Sequence, residues 1–436
     1  MKRMGSSLLI TAGIMMIIGW LGACPVSARA ETPVFNMITV HSAITPAVAK
    51  YVIRNIGEAQ EEGADGIIIL LDTPGGLDLA MRDMVKEILG SRIPVIVFVY
   101  PSGGRAASAG VMITMSAHIA AMAPGTNIGA AHPVALGIGG KMDETMAAKV
   151  ENDAVAYAVG IAEKRGRNAQ WAEQAVRESV SITAEEARNI NVIDIIAGTP
   201  TELLQKMDGR AVSLPEGEVV LRSAGALLDE REMGIRDKIL VTLSDPNIAY
   251  LLLMIGLAGL YFEFAHPGAI LPGVVGGISL ILAFFAMQTL PVNYAGIVLI
   301  IFAVILFVAE IKVVSHGMLT VAGIISLVLG SLMLFESPIP ALKVSFRVMI
   351  PTITFVSLFF IAVISLAVRA QLRRPVTGRE AMIGHQGTAA TDIHEEGKVL
   401  IKGELWNARS EGPIEKGEPV VVTGVEGLNL TVEKTS

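Results

Sequence analysis

A block of apolar sequence between residues 247 and 370 constrains this chain more than any other feature. Hydrophobic residues make up 52% of the 436-residue chain and charged residues only 17%, which is too apolar for an ordinary soluble protein. Each of five segments in the block is near the roughly 20 residues that a helix needs to cross a bilayer. The segments are 247–264, 269–289, 294–312, 317–335 and 348–369. The sequence therefore predicts a multi-span α-helical membrane domain over 247–370. Glu310 stands at a segment end, where its charge has little need to be buried.

Residues 1–30 are typical of a secretory signal peptide. Lys2 and Arg3 precede an apolar core, and Ala28–Ala30 offers a small-x-small cleavage site. Cys24, the only cysteine, stands in a faint lipoprotein-like box, and cleavage after Ala30 would leave a mature chain without thiol chemistry. An exported N-terminal domain followed by five crossings places the C terminus in the cytoplasm, which the arginines after the last segment also favour. We expect a multi-pass protein of the cell membrane.

Residues 31–240 alternate short apolar runs with amphipathic helical patterns. This rhythm predicts βαβ units and an α/β domain with a mostly parallel sheet. The more polar residues 198–240 are expected to form the end of the domain and a linker. The predicted strands are Val34–Val40, Gly66–Leu71, Ile93–Tyr100, Ile119–Met122 and Val192–Ala197, and the helices between the first three are Pro46–Glu62 and Leu79–Leu89.

Residues 376–436 return to a soluble composition. Val399–Trp406 and Pro419–Thr423 are predicted strands with glycine-containing turns between them, which favours a small all-β barrel. The net charge is −7, and the barrel has no basic patch or series of aromatic residues, so nucleic acid is not an expected partner. We interpret Trp406 as a core residue.

Ser108 is the first candidate for chemistry. It follows the strand predicted at Ile93–Tyr100 and a run of small residues, at the expected start of a helix. Free backbone N–H groups at a helix start can stabilise a developing negative charge, and small neighbours let a substrate carbonyl approach the hydroxyl. These features suit an acyl-transfer nucleophile. A helix N-cap or a packing choice is the more common explanation of such a serine.

Two other features carry possible chemistry. Gly75 and Gly76 follow the strand predicted at Gly66–Leu71, where their bare N–H groups can bind a substrate oxygen, although an ordinary turn is the simpler interpretation. Lys149 has apolar neighbours on a helix predicted over Met142–Gly166. A lysine stripped of water can lose its proton near neutral pH and act as a base, whereas a solvated helix face is the usual setting, with Lys141 and Lys164 as nearby competitors.

Four motifs together resemble the long form of the NfeD family. The order of signal peptide, α/β domain, membrane block and small barrel agrees with that family over essentially the whole chain. The resemblance implies a membrane-bound serine peptidase with a Clp protease-like and crotonase-like α/β domain and an OB-like C-terminal barrel. The motifs are LDTPGG (Leu71–Gly76), AASAG (Ala106–Gly110), MAPGTNIGAAHP (Met122–Pro133) and ITAEEA (Ile182–Ala187).

The resemblance also implies roles for individual residues. Ser108 matches the nucleophile and Lys149 the base of a Ser–Lys dyad. The oxyanion donors implied are the backbone N–H groups of Gly76, or Gly75, and of Ala109. No cofactor or metal is expected to take part.

Two further expectations concern the rival base and the partners. His132 lies close to where a Clp protease has its catalytic histidine, so a Ser108–His132 pair is the alternative assignment. The family resemblance implies cleavage of an apolar region in a stomatin-like membrane protein, and the fold group implies a homo-oligomer. Two other functions remain open: a crotonase-type acyl-thioester enzyme, and a non-catalytic membrane scaffold for a stomatin-like protein.

Overall fold

The computed structural model describes residues 32–134, 143–265, 270–313, 315, 317–335, 337, 342–371 and 382–435. The predicted signal peptide with Cys24, and Lys141, lie outside these residues. The chain forms two compact units. The first extends to Leu299 and includes Leu329–Thr352, and the second comprises Ile300–Val328 and Ile353 onwards.

A six-stranded sheet with only parallel pairs is the centre of the N-terminal domain. The parallel α/β architecture predicted from the sequence is therefore confirmed. Taken in order across the sheet, its strands are β11 (Leu227–Glu230), β1 (Val34–His41), β2 (Gly66–Asp72), β3 (Val95–Val99), β5 (Ile119–Met122) and β8 (Ile195–Ile196).

The pattern of β2 explains why helices cover both faces of the sheet. Ile67 and Ile69 belong to one buried cluster, whereas Ile68 and Leu70 belong to another. Successive side chains of a strand point to opposite faces, so a continuous apolar run needs a layer of helices on each side. The helices of the first layer are α1 (Pro46–Glu62), α2 (Asp78–Gly90), α3 (Ala109–Ser116), α4 (Glu144–Lys164), α5 (Ala169–Arg177) and α6 (Ala184–Asn189), and α7 (Pro200–Met207) packs on the other face.

A small second sheet borders the carboxyl ends of the central strands. It consists of β4 (Arg105–Ala106), β6 (Asn127–Gly129) and β7 (Ser181–Thr183). The ITAEEA motif forms the end of β7 and the start of α6, where Thr183 and Glu186 make a reciprocal capping box.

Residues 198–240 are not merely the end of the domain and a linker, as the sequence had suggested. They contain α7, the hairpin strands β9 (Ala211–Leu214) and β10 (Gly217–Val220), and β11, which pairs in parallel with β1 at the sheet edge. The predicted strand Val192–Ala197 is shortened to β8 for a similar reason. Edge strands are short and mixed in polarity, so their sequence pattern is weak.

The apolar block forms helices at all five predicted segments. Within the described residues, three of them are long and apolar enough to cross a membrane, whereas Tyr294–Glu310 and Met318–Met333 are shorter apolar stretches. The number of crossings therefore stays a prediction. After α8 (Ile235–Leu243), the helices are α9 (Pro246–Ala265), α10 (Ile270–Met287), α11 (Tyr294–Lys312), α12 (Met318–Met333) and α13 (Phe346–Gln371).

Glu310 is buried, which corrects the expectation that its charge would stay near solvent. Only 7% of it is exposed. Its carboxylate accepts hydrogen bonds from the Ser315 hydroxyl and from the backbone N–H groups of Gly317 and Thr320. The carboxylate thus binds the free N–H groups at the start of α12, which a helix cannot satisfy internally.

The C-terminal residues form a closed five-stranded barrel. The strands pair in the order β12, β13, β14, β16 and β15, as an OB-like barrel requires. Val399–Trp406, predicted as one strand, is a hairpin that turns at Lys402 and Gly403, both with positive φ. Trp406 packs against the barrel core, as expected. The strands are β12 (Gln386–Ala389), β13 (Gly397–Ile401), β14 (Glu404–Arg409), β15 (Pro419–Glu426) and β16 (Asn429–Lys434).

Candidate active site

Ser108 lies at the turn that joins β4 to α3, at the carboxyl edge of the central sheet. Its backbone has φ 49° and ψ −111°, and its hydroxyl makes no capping bond to α3. A non-glycine residue in so sparsely populated a region carries strain of about 1–3 kcal/mol, and such strain persists only where the surroundings impose it. The N-cap explanation of this serine therefore fails.

The start of α3 presents an unused donor beside this hydroxyl. The Ser108 N–H donates to the Ala130 carbonyl at an N···O distance of 2.7 Å, which fixes the turn. Within the described residues, the N–H of Ala109 donates to no acceptor. A free donor at a helix start attracts negative charge.

The loop after β2 lies against Ser108 and is fixed by a threonine. The Thr73 hydroxyl accepts from the Gly75 N–H at 3.2 Å and donates to the Gly75 carbonyl at 3.1 Å. The Ile44 N–H also donates to that carbonyl, at 2.9 Å. The N–H of Gly76 has no acceptor in the described part of the chain. Of the two glycines, only Gly76 thus has an N–H free to bind an oxyanion.

Glycine is required at both positions of this loop. Gly75 has φ +114°, and a Cβ there would lie 2.8 Å from the Ser108 Cβ and 3.3 Å from its Oγ. A Cβ on Gly76 would lie 2.3 Å from the Ile44 carbonyl oxygen. The loop backbone therefore approaches Ser108 at Gly75, and Ile44 at Gly76, more closely than a side chain permits.

A cavity of about 190 Å³ opens over Ser108. Met81 and Met112 supply apolar walls, and a further wall is one face of α4. Val150, Asp153, Ala154 and Tyr157 recur on that wall at helical spacing. The cavity also contacts Gly76 and Ala109, so the two free N–H groups and the serine share one space.

Lys149 stands beside this wall rather than in it. It precedes the lining residue Val150, but its side chain is exposed and does not line the cavity. Within the described residues it makes neither a hydrogen bond to Ser108 nor an ion pair. The apolar surroundings expected for this lysine are therefore missing from the single chain, and its role as base stays a proposal.

His132 is directed elsewhere. Its Nδ1 donates to the Val176 carbonyl at 2.8 Å, and the ring is not among the groups that line the cavity. Nothing in the described structure brings it to the Ser108 hydroxyl.

The far end of α3 is held by two arginines. Arg167 donates to the carbonyls of Met115 and Ala117, at 2.7 and 2.9 Å, and the Nε of Arg165 donates to the Ser116 carbonyl at 2.7 Å. Cations at a helix C terminus satisfy its free carbonyls and complement its dipole.

These arginines share their surroundings with His118. Burial, with smaller contributions from the two arginines, lowers the pKa of His118 to about 3. Burial, followed by the charge of Arg167, lowers the pKa of Arg165 to about 10.

Four residues around the cavity were not predicted from the sequence. Thr73 fixes the loop that carries Gly75 and Gly76, and Asp78, Arg82 and Asp153 form a charged cluster at the cavity wall. Only the spacing of Asp78 and Arg82, four residues apart on one helix, could have been recognised beforehand.

Comparison with known proteins identifies the family. Three family models match the chain: the NfeD1b N-terminal domain over residues 34–213, the NfeD integral membrane domain over 247–366, and the NfeD-like C-terminal, partner-binding domain over 379–434. The membrane-bound protease PH1510 of Pyrococcus horikoshii is 39% identical over 391 residues, which are 87% of this chain and 88% of that one. The chain belongs to the NfeD family.

Other NfeD-related proteins resemble the chain as well. Membrane protein NfeD1b of Bacillus subtilis is 27% identical over 425 residues, 94% of each chain. A solved membrane-bound stomatin-specific protease, a lysine-to-alanine mutant with a substrate peptide, has 34% identity and a TM-score of 0.45. It covers 48% of this chain and 97% of its own. A protease specific for a stomatin homolog from Pyrococcus horikoshii has 34% identity and a TM-score of 0.43, covering 49% and 99%.

The relationship to PH1510 spans nearly the whole length of both chains, across all three domains. This NfeD chain is accordingly a membrane-bound serine protease with a C-terminal barrel.

Proposed function

We propose that this NfeD protein cleaves apolar segments of a stomatin-like membrane protein, with Ser108 as nucleophile and Lys149 as base. The observation that carries the proposal is the Ser108 hydroxyl, which caps nothing and shares a cavity with the unused N–H groups of Gly76 and Ala109. A nucleophile beside two converging donors is the arrangement that acyl transfer needs.

The proposed reaction forms and then hydrolyses an acyl-enzyme. Neutral Lys149 takes the proton of Ser108 as Oγ bonds to the peptide carbonyl carbon, and the N–H groups of Gly76 and Ala109 bind the oxyanion. The lysine then gives its proton to the leaving amine as the C–N bond breaks. Water, deprotonated by the same lysine, attacks the resulting ester and releases the acid, and Ser108 recovers its proton.

The position of Lys149 on α4 supports its role. The cavity-lining residues Val150 and Asp153 follow it by one and four positions, so its long side chain starts at the edge of the cavity wall. A peptide in the cavity would exclude water from this edge, and loss of water favours the neutral form of a lysine.

The apolar walls of the cavity and the descriptions of the solved relatives support the proposed substrate class. Met81, Met112 and Val150 favour apolar residues around the bond that is cleaved. The solved relatives are described as specific for stomatin or a stomatin homolog, and we extend that partner to this chain. We expect the protein to work as a homo-oligomer.

We further propose that the protease domain lies outside the cytoplasm and the barrel inside it. An odd number of crossings puts the two ends of the membrane domain on opposite sides of the bilayer, so five crossings and three crossings give the same arrangement. A reporter fused after residue 436 tests it, since activity of a periplasm-specific reporter at that position would contradict the proposal.

The decisive experiment measures cleavage by the full chain in lipid vesicles. Its substrates are a stomatin-like protein and a peptide from that protein's apolar segment. Ser108→Ala is expected to lower kcat by at least about 10³-fold, because no hydroxyl remains to attack. Ser102→Ala, which changes an exposed serine of the preceding turn, is the control and is expected to cleave like the parent. A parent protein that binds the partner without cleaving either substrate would favour a scaffold instead.

A further inference from the structure

Arg82 on α2 is held from three sides at the wall of the cavity. Its Nε donates to Asp78 at 2.8 Å, its guanidinium lies over the Tyr157 ring at 4.3 Å from the centroid, and its Nη2 donates to Asp153 at 2.5 Å. The last contact joins α2 to α4 through two residues that are 71 positions apart in the chain.

The helical turn after Lys149 carries two carboxylates, and a neighbouring helix supplies an arginine to each. Asp153 binds Arg82 of α2, and Glu151 binds Arg177 of α5 at 2.9 Å. Lys149 itself has no carboxylate within ion-pair distance among the residues that the structure describes.

The spacing of Lys149 and Asp153 on α4 makes the pairing of Asp153 relevant to catalysis. Lys149 and Asp153 are four residues apart, so they are neighbours on the helix surface and would pair if Asp153 were free. Such a pair favours the charged form of a lysine, and a protonated lysine cannot act as a base. Glu151, two residues from Lys149, faces a different side of the helix.

Building on the proposed role of Lys149, we propose that Arg82 is a positioning residue that keeps the Asp153 carboxylate away from the base. Arg82 occupies the one acid at pairing distance along the helix, so that acid is not left free to stabilise a charged Lys149.

The other charged groups that the structure describes on the packed helices are held in ion pairs or lie outside the cavity lining. From α2 the cavity wall receives Arg82 and Asp78, which bind each other, and α3 contributes no charged residue. From α5, Arg177 is paired with Glu173 and Glu151. The start of α4 adds the exposed Asp143 and Glu144, which lie away from the cavity.

The test is the pH dependence of kcat/KM for an apolar peptide, measured on the full chain in vesicles. In Arg82→Gln, Asp153 is free to pair with Lys149, and the midpoint of the rising limb is expected to move up by roughly 0.2–0.7 pH unit. Below the midpoint this lowers kcat/KM by about two- to fivefold. In Arg82→Gln/Asp153→Asn the midpoint is expected to return most of the way, because the competing carboxylate is gone.

Arg177→Gln is the matched control. It frees Glu151 on the same helix, but Glu151 faces a different side of that helix from Lys149. The midpoint of the rising limb of the pH profile is therefore expected to stay in place. A midpoint that is equal in Arg82→Gln and the parent, or that stays raised in the double variant, would overturn the inference. Asp153→Asn changes an exposed residue and serves if Arg82→Gln fails to fold. Its midpoint is expected to lie near that of the parent, and a large downward shift would mean that Asp153 already pairs with Lys149.

Failure of this inference can be distinguished from failure of the proposed function by Lys149→Ala. If Lys149→Ala keeps full activity, the base has been assigned wrongly and both statements fall. If Lys149→Ala is inactive and Arg82→Gln has an unshifted midpoint, the dyad stands and only the role of Arg82 is wrong.

Discussion

The two helices that carry the proposed dyad differ in how firmly they are held. Every residue of α3 is buried, the turn before it is fixed at Ser108, and two arginines bind its far end. The first turns of α4, by contrast, are exposed from residue 143 through Lys149 and Val150.

The difference separates two tasks of a serine protease. Stabilising an oxyanion requires donors that are fixed before the reaction, because movement at that moment would reduce their effect. A base needs to reach the hydroxyl only when a substrate is bound, and contacts of this kind are often loose in the free enzyme. On the proposed assignment, the side of the nucleophile is assembled in advance, whereas the side of the base depends on what occupies the cavity.

The contrast between α3 and α4 applies to catalysis only if the base comes from α4. Lys149→Ala is expected to lower kcat by about 10²–10⁴-fold, because a general base contributes that much. His132→Ala and Lys164→Ala, which change a histidine bound to the Val176 carbonyl and another exposed lysine of α4, are expected to keep kcat close to that of the parent. The measurement is peptide cleavage at saturating substrate. Loss in His132→Ala with full activity in Lys149→Ala would assign the role of base to His132 instead.

The claim that the nucleophile side is rigid can be tested at Gly75. Gly75→Ala places a Cβ 2.8 Å from the Ser108 Cβ and is expected to lower kcat by about 10²-fold, the usual result of displacing a reacting group by about an ångström. Gly103→Ala is the control, because Gly103 also has positive φ, yet a Cβ there meets no atom within 4 Å. Equal losses in the two variants would assign the effect to backbone strain rather than to contact with Ser108.

A smaller effect is expected when only the support of the oxyanion loop is removed. Thr73→Val keeps the methyl group but removes the hydroxyl that makes two hydrogen bonds to Gly75, and is expected to lower kcat by about tenfold, the equivalent of roughly 1.4 kcal/mol. Thr73→Ser keeps the hydroxyl and is expected to restore most of the activity. A fully active Thr73→Val would mean that Ile44 alone fixes the loop.

The smallest expected effect concerns stability and leaves catalysis at neutral pH unchanged. Because burial lowers the pKa of His118 to about 3, the unfolded chain binds a proton below pH 6.5 that the folded chain does not accept until near pH 3. The free energy of unfolding therefore decreases as the pH falls, by about 2 kcal/mol between pH 6.5 and 5.

Hydrogen exchange of the β3 amides at the two pH values measures this loss. His118→Gln is expected to flatten the pH dependence. His41→Gln, which changes an exposed histidine, is expected to leave it in place. An unchanged slope in His118→Gln would exclude His118 as the acid-sensitive group of the nucleophile side.

Much of the fold could be predicted because its signals are local. The helix predicted at Pro46–Glu62 and the strand predicted at Ile119–Met122 agree with the structure to the residue, since continuous apolar runs and helical spacing determine them directly. The hairpin turn at Lys402–Gly403 was missed because it lacks the usual Asn-Gly signal. The edge strand Leu227–Glu230 was missed because its four residues show no alternation.

The candidate site divides in the same way. Motifs locate Ser108, Gly75 and Gly76 because sequence neighbours build the turns around them. The contact of Arg82 with Asp153 joins segments 71 residues apart, and the preference for Gly76 over Gly75 depends on one hydroxyl. Such features arise only when distant parts of the chain meet, so a single sequence does not reveal them.

The edge strand β11 has a consequence for where this enzyme can cut. It pairs with β1, and only a short stretch containing α8 separates it from the first membrane helix. Arg54 also grips Asp237 of α8 through two hydrogen bonds, at 2.8 and 2.5 Å. These contacts hold the catalytic domain close to its first membrane helix. We therefore expect it to reach only those bonds that a substrate holds at a fixed distance from the bilayer surface.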